Sequence, residues 1–205
     1  MRQYAPTHET RERILDAAER LYGEYGLSKT TMGDVAKACG YTASNVHRLF
    51  KTKSALSEAI VARFLGRIEG AVVQALASAQ SPGEKMRALL ETLAAETAAR
   101  FKDDGKVSQM VVQGLEEDWL TVRTYKARIR FFIKEILDAY APPALLGKTS
   151  DETVEIIYAC AVRLFHPLVA SEFRRREEKN AASPLIEFLV GALDAASRGT
   201  ATDRS

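Results

Sequence analysis

Apolar residues recur every three or four positions along most of this chain, and this spacing constrains its fold more than any other feature. The clearest case repeats at every fourth residue: Leu56, Ile60, Phe64, Ile68, Val72 and Leu76. Such spacing places the apolar side chains on one face of an α-helix, whereas a strand would require alternation with a period of two. Few segments alternate in that way, so the sequence predicts an all-α fold.

Glycine and proline mark where the helices end. A first helix is predicted from about residue 7 or 8 to Tyr25, with Gly26 ending it in a left-handed conformation. A long fourth helix is predicted to open at residue 52 or 53 and to end near Pro82, and a later helix is predicted to kink at Pro167. The helices beyond the fourth are predicted over about 83–102, 106–117, 120–141, 151–175 and 183–198.

Two short helices lie between the first helix and the long one. Thr31 and Asp34 have the spacing of a capping box at the start of the second helix, and Gly40 ends that helix after barely two turns. Thr42 can cap the third helix, which leaves a turn of about three residues between the two. Two short helices joined by so tight a turn form a helix-turn-helix.

The charge of the chain is concentrated at its N-terminal end. The formal net charge is only +2, but residues 1–53 carry nine Lys and Arg against six Asp and Glu, and the remainder carries 20 against 21. A local positive excess is what a DNA-binding surface requires. An ordinary solvated face can have the same composition, so charge alone leaves both interpretations open.

The sequence lacks the usual patterns of several other protein classes. Cys39 and Cys160 are far apart and have no neighbouring ligands, which disfavours disulfides and zinc. A membrane span needs about 18–20 consecutive apolar residues, and no run in the sequence approaches that length. The N-terminus does not resemble a signal peptide. We therefore expect a cytoplasmic protein without membrane contact. No catalytic motif is present, so we predict no enzymatic activity, cofactor or metal. Glu116, Glu117 and Asp118 could join His166 at a metal, but a solvated helix end is the favoured interpretation.

The third helix carries side chains suited to DNA. Asn45 can pair with adenine, and Arg48 can reach guanine or a phosphate. Lys51 and Lys53 flank the start of the fourth helix, where ammonium and backbone N–H groups suit phosphate oxygens. Each residue also has a plain interpretation as a cap, a turn residue or a solvated charge. The predicted DNA-binding residues are Thr31, Thr42, Ala43, Ser44, Asn45, His47, Arg48, Lys51 and Lys53.

Residues 8 to about 60 resemble the DNA-binding domain of the tetracycline-repressor (TetR) family of bacterial transcription regulators. The resemblance lies in RILDAAERLYGEYG, TTMGDVAKACGYTASNVHRLF and KTKSALSEAI, whereas the rest is similar only in length and helical character. It implies a helix-turn-helix DNA-binding domain over 1–52 and a ligand-binding and dimerisation domain over 53–205. It also implies a homodimer, a palindromic double-stranded operator, and release from DNA by a small-molecule effector.

Two positions depart from the pattern of that family. The family often has a tyrosine that contacts a phosphate where this chain has His47, which is shorter and can gain a proton near neutral pH. That contact is therefore expected to be weaker or pH-dependent. Cys39 stands where the family usually has a small residue, and we interpret it as a packing residue.

Two late segments are apolar around most of their circumference, as helices buried on two sides are. Residues 154–169 and 185–193 are therefore predicted to pair with their twofold mates in a four-helix bundle. An enclosed monomer core is the alternative. The predicted interface residues are Ile157, Ala161, Leu164, Leu168, Leu185, Phe188, Leu189 and Ala192.

Large apolar side chains of the central helices are candidates for an effector pocket. Most such residues belong to a core, but a cavity among them would suit a hydrophobic or aromatic effector, oriented by Tyr125, Arg128 or His166. The predicted pocket residues are Phe64, Met86, Met110, Trp119, Tyr125, Arg128, Phe132, Phe165 and His166.

Together these features predict a ligand-responsive transcriptional regulator that acts as a repressor. One alternative is a helical ligand-binding or interaction module without sequence-specific DNA binding. Another is a small all-helical enzyme, which the missing catalytic spacing disfavours.

Overall fold

The computed structural model describes residues 8–103, 105–140, 149–166 and 182–202. These residues form helices joined by short turns, with no strand among them, so the all-α prediction is confirmed. The helices are α1 His8–Tyr25, α2 Met32–Cys39, α3 Ala43–Leu49, α4 Lys53–Ser78, α5 Pro82–Asp103, α6 Gly105–Glu116, α7 Leu120–Ala139, α8 Ser150–Phe165 and α9 Ala182–Thr202.

The chain divides into two compact units, each assembled from separate stretches of sequence. The first comprises Met1–Phe64 and Asp104–Val122, and the second comprises Leu65–Asp103 and Arg123–Ser205. Helix α4 therefore begins in the first unit and ends in the second. The predicted boundary between residues 52 and 53 does not coincide with this division, because the first turns of α4 and the whole of α6 group with the N-terminal helices.

The first unit is built on a buried stripe of α1. Ile14, Leu15, Ala18 and Tyr22 are buried because their spacing places them on one helix face. Helix α1 packs on α2, and α2 packs on α3. Gly26 ends α1 with φ +90°, a conformation that its missing Cβ makes accessible. The predicted extent of the first helix and its glycine end are confirmed.

Helix α6 also packs on α1, and a tight corner links α6 to α7. A Cβ on Gly114 would lie 2.9 Å from Cε3 of Trp119, so only glycine lets the indole ring pack this closely on α6. At the start of α7, Thr121 donates its N–H and its hydroxyl to Oε1 of Glu58 in α4, at 3.3 and 3.2 Å. These contacts join residues that are distant in sequence into one unit.

Helix α5 is central to the second unit. It packs against α8 and α9, which also contact each other. Arg87 of α5 donates from Nη2 to Oε2 of Glu187 in α9 at 2.9 Å, and the Tyr140 hydroxyl at the end of α7 donates to Asp194 of α9 at 3.0 Å. The buried apolar residues of α5 are Met86, Leu89, Leu90 and Leu93.

The predicted helix over 151–175 is wrong in its extent, because α8 ends at Phe165. His166 follows with φ −75° and ψ 126°, an extended conformation. A proline ring disfavours helical backbone angles at the residue before it. Pro167 therefore explains why the helix ends at His166, where a kink was predicted. Residues 167–175 lie outside the described residues.

The described ranges contain no helix that is both long enough and apolar enough to cross a membrane.

Candidate nucleic-acid interface

Reciprocal hydrogen bonds between Thr31 and Asp34 begin α2. The Thr31 hydroxyl oxygen accepts from the Asp34 N–H at 3.1 Å, and Oδ2 of Asp34 accepts from the Thr31 N–H at 2.8 Å and from its hydroxyl at 2.7 Å. The predicted capping box is confirmed. The hydroxyl bond, followed by the backbone bond, lowers the pKa of Asp34. Because a carboxylate occupies this helix end, Thr31 is poorly placed to receive a phosphate.

Thr42 caps α3, the second helix of the motif. Its side chain accepts from the Asn45 N–H at 3.3 Å. Gly40, with φ +73°, ends α2, so residues 40–42 form the predicted three-residue turn. Unlike α2, α3 has no acidic residue in its first turn. The N-terminal end of α3 is therefore electrostatically more suited to an approaching phosphate than that of α2.

Helix α3 has a buried side and an exposed side. Val46 and Phe50 are buried and Leu49 is half-buried. These side chains fix the apolar side of α3 against the other helices of the first unit. Asn45 is half-buried. The exposed residues of the segment are Thr42, Ala43, Ser44, His47 and Arg48. Polar and small side chains thus cover the surface that a major groove would meet.

The start of α4 adds two lysines beside α3. The Thr52 hydroxyl oxygen accepts from the Ala55 N–H at 3.0 Å, so Thr52 caps the helix, which was predicted to open at residue 52 or 53. Lys51 is exposed and Lys53 is half-buried, one on either side of this cap. Helix α4 also lacks an acidic residue in its first turn. Two ammonium groups and a helix N-terminus without acidic residues therefore lie within three residues of sequence.

Cys39 is buried behind this surface. Its thiol donates to the Val35 carbonyl at 3.0 Å, a contact within α2. Both Cys39 and Cys160 are free thiols. The position of Cys39 supports its interpretation as a packing residue.

The predicted interface residues of α8 and α9 fall into different environments. Ile157, Ala161 and Leu189 are buried within the chain and have little surface left for a partner. Leu164 and Leu185 are half-buried, Ala192 is exposed, and Phe188 is 72% exposed. Leu168 lies outside the described residues.

Sequence reasoning missed Ile156, which is 50% exposed. The signal that could have identified it is the four-residue spacing of Ile156, Cys160 and Leu164, a stripe that lies beside the buried one on α8.

The residues predicted for the effector pocket divide between the two units, so neither unit contains all of them. The first unit holds Phe64, Met110 and Trp119, all buried. Those buried in the second unit are Met86, Tyr125 and Phe165. Phe132 and His166 are half-buried there, and Arg128 is exposed.

Tyr125 of α7 is a buried polar group of the second unit. Burial raises its pKa well above the usual value of 10, and Glu69 of α4 and Tyr158 of α8 add to the shift. Burial also raises the pKa of Glu69, against the opposing effect of Arg128. The rings of Tyr158 and Phe165 meet edge to face, with their centroids 5.9 Å apart. Tyr125 is thus a buried phenol within the electrostatic reach of Glu69 and Tyr158.

His166 has an unusual environment at the end of α8. Its Nδ1 is buried and has no hydrogen-bond partner among the described residues. Burial, followed by repulsion from Lys126, lowers its pKa and so favours the neutral imidazole. A buried nitrogen in this state is free to bond to a polar group of a ligand.

The acidic run at the end of α6 is engaged in local contacts. Glu117 accepts from the Gln113 amide at 2.7 Å and from the Trp119 indole at 2.8 Å, and these bonds lower its pKa, with Gln113 contributing most. Within the ranges that the structure describes, no three His, Cys, Asp or Glu residues are grouped to hold a metal ion. These contacts support the interpretation of residues 116–118 as a helix end.

Comparisons with known proteins agree on this architecture. Residues 14–60 match the family model described as bacterial regulatory proteins, tetR family. An uncharacterised HTH-type transcriptional regulator of Mycobacterium tuberculosis is 27% identical over 188 residues, which cover 91% of this chain and 86% of that protein. The HTH-type transcriptional regulator AcrR of Shigella flexneri is 48% identical over 48 residues, which cover 23% of this chain and 22% of that protein.

A solved structure shows the same fold over nearly the whole chain. A transcriptional regulator of the TetR/AcrR family from Thermobifida fusca superposes with a TM-score of 0.67 at 18% identity, covering 91% of this chain and 97% of that chain. The family match falls on α1–α3 and the start of α4, where the capped helix-turn-helix lies. Residues 14–60 therefore form a DNA-binding helix-turn-helix of the kind found in the tetR family of bacterial regulatory proteins, and the chain as a whole is similar to transcriptional regulators with that domain.

Proposed function

We propose that this regulator is a repressor that binds a palindromic operator as a homodimer and leaves it when a small hydrophobic or aromatic effector binds. The observation that carries the proposal is the exposed side of α3, which lies between the Thr42 cap and the buried Phe50 and continues into Lys51 and Lys53. A short helix with this surface fits the major groove of DNA.

The residues of this surface have distinct proposed roles. Asn45 and Arg48 read base edges, because their amide and guanidinium groups can make paired hydrogen bonds to adenine and guanine. Lys51 and Lys53 bind phosphates and so contribute affinity without sequence preference. Thr42 and His47 are proposed to bind phosphates at the edge of the groove, with Ala43 and Ser44 lying close to the bases. A DNA contact by Thr31 would compete with Asp34, which already engages its hydroxyl.

The homodimer is supported by apolar side chains left exposed on α8 and α9. On α9, Leu185, Phe188 and Ala192 share one side of the helix at spacings of three and four. On α8, Ile156 and Leu164 do the same at a spacing of eight. A dimer that binds two half-sites of one operator requires its two α3 helices to lie roughly 34–36 Å apart, one turn of DNA.

The effector is proposed to bind in the second unit, near Tyr125 and His166. Three observations support a mainly apolar ligand with one polar group: the buried Phe165 and Met86, the buried side chain of Tyr125, and Nδ1 of His166, which has no partner within the described ranges. A ligand that donates to Nδ1 would satisfy an atom whose isolation otherwise costs free energy.

Helix α4 is the proposed link between effector and operator, because it runs unbroken from Lys53 to Ser78 and belongs to both units. The effector would favour a conformation in which the two α3 helices no longer match successive grooves. By thermodynamic linkage, operator DNA must then weaken effector binding by the same factor. Unchanged operator affinity at a saturating effector concentration would contradict this coupling.

The experiment that tests the proposed function is selection of bound sequences from a random pool of double-stranded DNA. We expect an enriched motif with twofold symmetry, bound with a steep dependence of affinity on salt. No enriched motif would favour the alternative of a helical module without sequence-specific DNA binding. An enriched motif without symmetry would contradict the dimeric mode of binding.

A further inference from the structure

Two arginines of α1 contact the residues that flank α3. The Arg13 guanidinium lies over the ring of Tyr41, with 5.2 Å between Cζ and the ring centroid. The Arg11 guanidinium lies over the ring of Phe50 at 5.4 Å. Tyr41 precedes the cap of α3, and Phe50 follows the last residue of that helix. One helix thus holds α3 from both of its ends.

We infer that Arg11 and Arg13 are positioning residues for α3, which set its orientation on the first unit without touching a base themselves. The inference rests on the proposed reading of base edges by α3. It adds two residues of α1 to the determinants of operator specificity.

Helix α3 needs such support because it is short. It spans seven residues, and a helix of this length is not stable in isolation. Within the helix only Val46 is fully buried. Val46, the half-buried Leu49 and the flanking Phe50 fix the apolar side of the helix, but a small rotation about these residues would still displace its exposed side chains. Contacts at residues 41 and 50 restrain that rotation.

Arg13 also makes a second contact, to the end of α2. Its Nη2 lies 3.5 Å from the carbonyl oxygen of Cys39, the last residue of that helix. Terminal carbonyls of a helix lack an intrahelical partner and carry partial negative charge, so a cation is favourable there. Arg13 therefore holds the end of α2 and the turn before α3 together.

The two arginines emerge on either side of the buried stripe of α1. Arg11 shares a helix face with Leu15 and Ala18, whereas Arg13 lies in line with Thr10 and Ala17. All four of these neighbours are buried. Arg11 is half-buried and Arg13 is exposed, so both side chains begin at the edge of the packed side of α1, from which the flanks of α3 can be reached.

A matched control is available on the same helix. The Arg20 side chain is 61% exposed and pairs with Glu24 one turn later, at 3.9 Å. Replacing Arg20 changes the charge of α1 by the same amount as replacing Arg11 or Arg13. It leaves the contacts at Tyr41 and Phe50 intact.

The test is a double-mutant cycle of Arg13→Ala and Tyr41→Leu in the full chain, on the operator selected for the wild-type protein. Binding is measured to that operator and to variants with one base pair changed under α3. We expect Arg13→Ala to reduce discrimination among these sequences about two- to fivefold, as loss of an exposed cation–π contact would. Tyr41→Leu should have a similar effect, and the double variant should lose no more than either single variant.

Salt dependence separates positioning from direct phosphate contact. We expect Arg13→Ala, Arg11→Gln and the control Arg20→Ala all to keep the wild-type salt slope, and Arg20→Ala to keep its discrimination as well. A slope reduced by about one, with equal loss on every sequence, would show that Arg13 or Arg11 binds a phosphate and would overturn the inference. Additive effects of Arg13→Ala and Tyr41→Leu would overturn it too, as would unchanged discrimination.

Folding defects are handled by a conservative variant. Circular dichroism and thermal melting establish that each variant is folded, and Arg13→Lys replaces Arg13→Ala if the latter is not. Lysine keeps the charge but lacks the planar guanidinium, so we expect loss of discrimination with an unchanged salt slope. If the wild-type protein selects no operator, the proposed function fails and the inference with it. If it selects one and the cycle is additive, the inference alone fails.

Discussion

Arg63 of α4 donates from Nη1 to Oδ1 of Asp16 in α1 at 2.6 Å. The same guanidinium reaches Glu12 at 3.3 Å and also Glu19, so three carboxylates on one face of α1 share a single cation. The Arg63 side chain is 15% exposed, and its Nε is buried without a partner among the described residues. The Asp16 carboxylate is 68% exposed, so the cation is enclosed more than this partner, and salt screens these half-buried pairs less than pairs exposed on both sides.

Arg63→Met is expected to lower the free energy of unfolding by about 1–3 kcal/mol, because it leaves three neighbouring carboxylates without their shared cation. Urea unfolding measures the change. The control is Arg20→Met, which removes an exposed pair and should cost at most about 0.5 kcal/mol. Equal losses in the two variants would mean that the Arg63 cluster contributes no more than a surface ion pair.

Glu69→Gln is expected to stabilise the protein at neutral pH. Burial raises the folded-state pKa of Glu69 above its ordinary value of 4.5, so its ionised form is less favourable in the folded protein than in the unfolded one. This cost is absent below pH 4.5, begins as the pH rises through that value, and is complete above the raised folded-state pKa. The urea midpoint of Glu69→Gln should therefore exceed that of the wild type at pH 7 and match it at acidic pH. The exposed Glu135→Gln serves as the control, and an equal gain there would refute the role of burial.

Arg48→Ala and Asn45→Ala are each expected to relax specificity at a single operator position by about 1–3 kcal/mol. Lys53→Ala should instead weaken binding to all sequences alike and lower the salt slope by about one. Binding to a set of operators with single base-pair changes, at several salt concentrations, measures both effects. A uniform loss for Arg48→Ala would assign it to a phosphate and not to a base.

His47→Tyr is expected to tighten operator binding about two- to tenfold, the effect of one added hydrogen bond. His47 is exposed on α3, so the larger side chain meets no packing obstacle. The gain should be the same on operator and non-operator DNA, because a phosphate contact carries no sequence information. A gain confined to the operator would place residue 47 near a base.

Phe188→Asp is expected to raise the dissociation constant of the proposed homodimer by about 30-fold or more, the effect of losing a central apolar contact. Sedimentation equilibrium measures this directly. Val73→Asp is the control, because Val73 on α4 is similarly exposed but lies outside α8 and α9. A wild-type protein that sediments as a monomer would contradict the homodimer itself.

Local chemistry made the helix-turn-helix predictable from sequence. Thr31, Gly40 and Thr42 each act through hydrogen bonds or backbone angles within a few residues. The residue types at these positions therefore determine where α2 ends and α3 begins. The buried Val46 and Phe50 follow from helical spacing in the same way. These are the features that the structure confirms.

Tertiary packing limited what could be predicted elsewhere. Leu189 is buried and its neighbour Phe188 is exposed, and Ile157 and Ile156 differ in the same way. One residue turns a helix by about 100°, so in a segment that is apolar all round the sequence does not specify which side faces its own core. The grouping of α6 with the N-terminal helices likewise depends on contacts between residues far apart in the chain.

Because α6 belongs to the first unit, the chain passes between its two units three times: after Phe64, between α5 and α6, and after Val122. A single recombination event after residue 64 would therefore not exchange the DNA-binding unit as a whole. The chimera would place a foreign α6 against the resident α1 and separate Glu58 from the Thr121 that it caps. Transfer of the intact DNA-binding unit to another protein thus depends on a segment encoded in the middle of the gene. A chimera that keeps this unit whole must carry residues 105–122 along with the N-terminal helices.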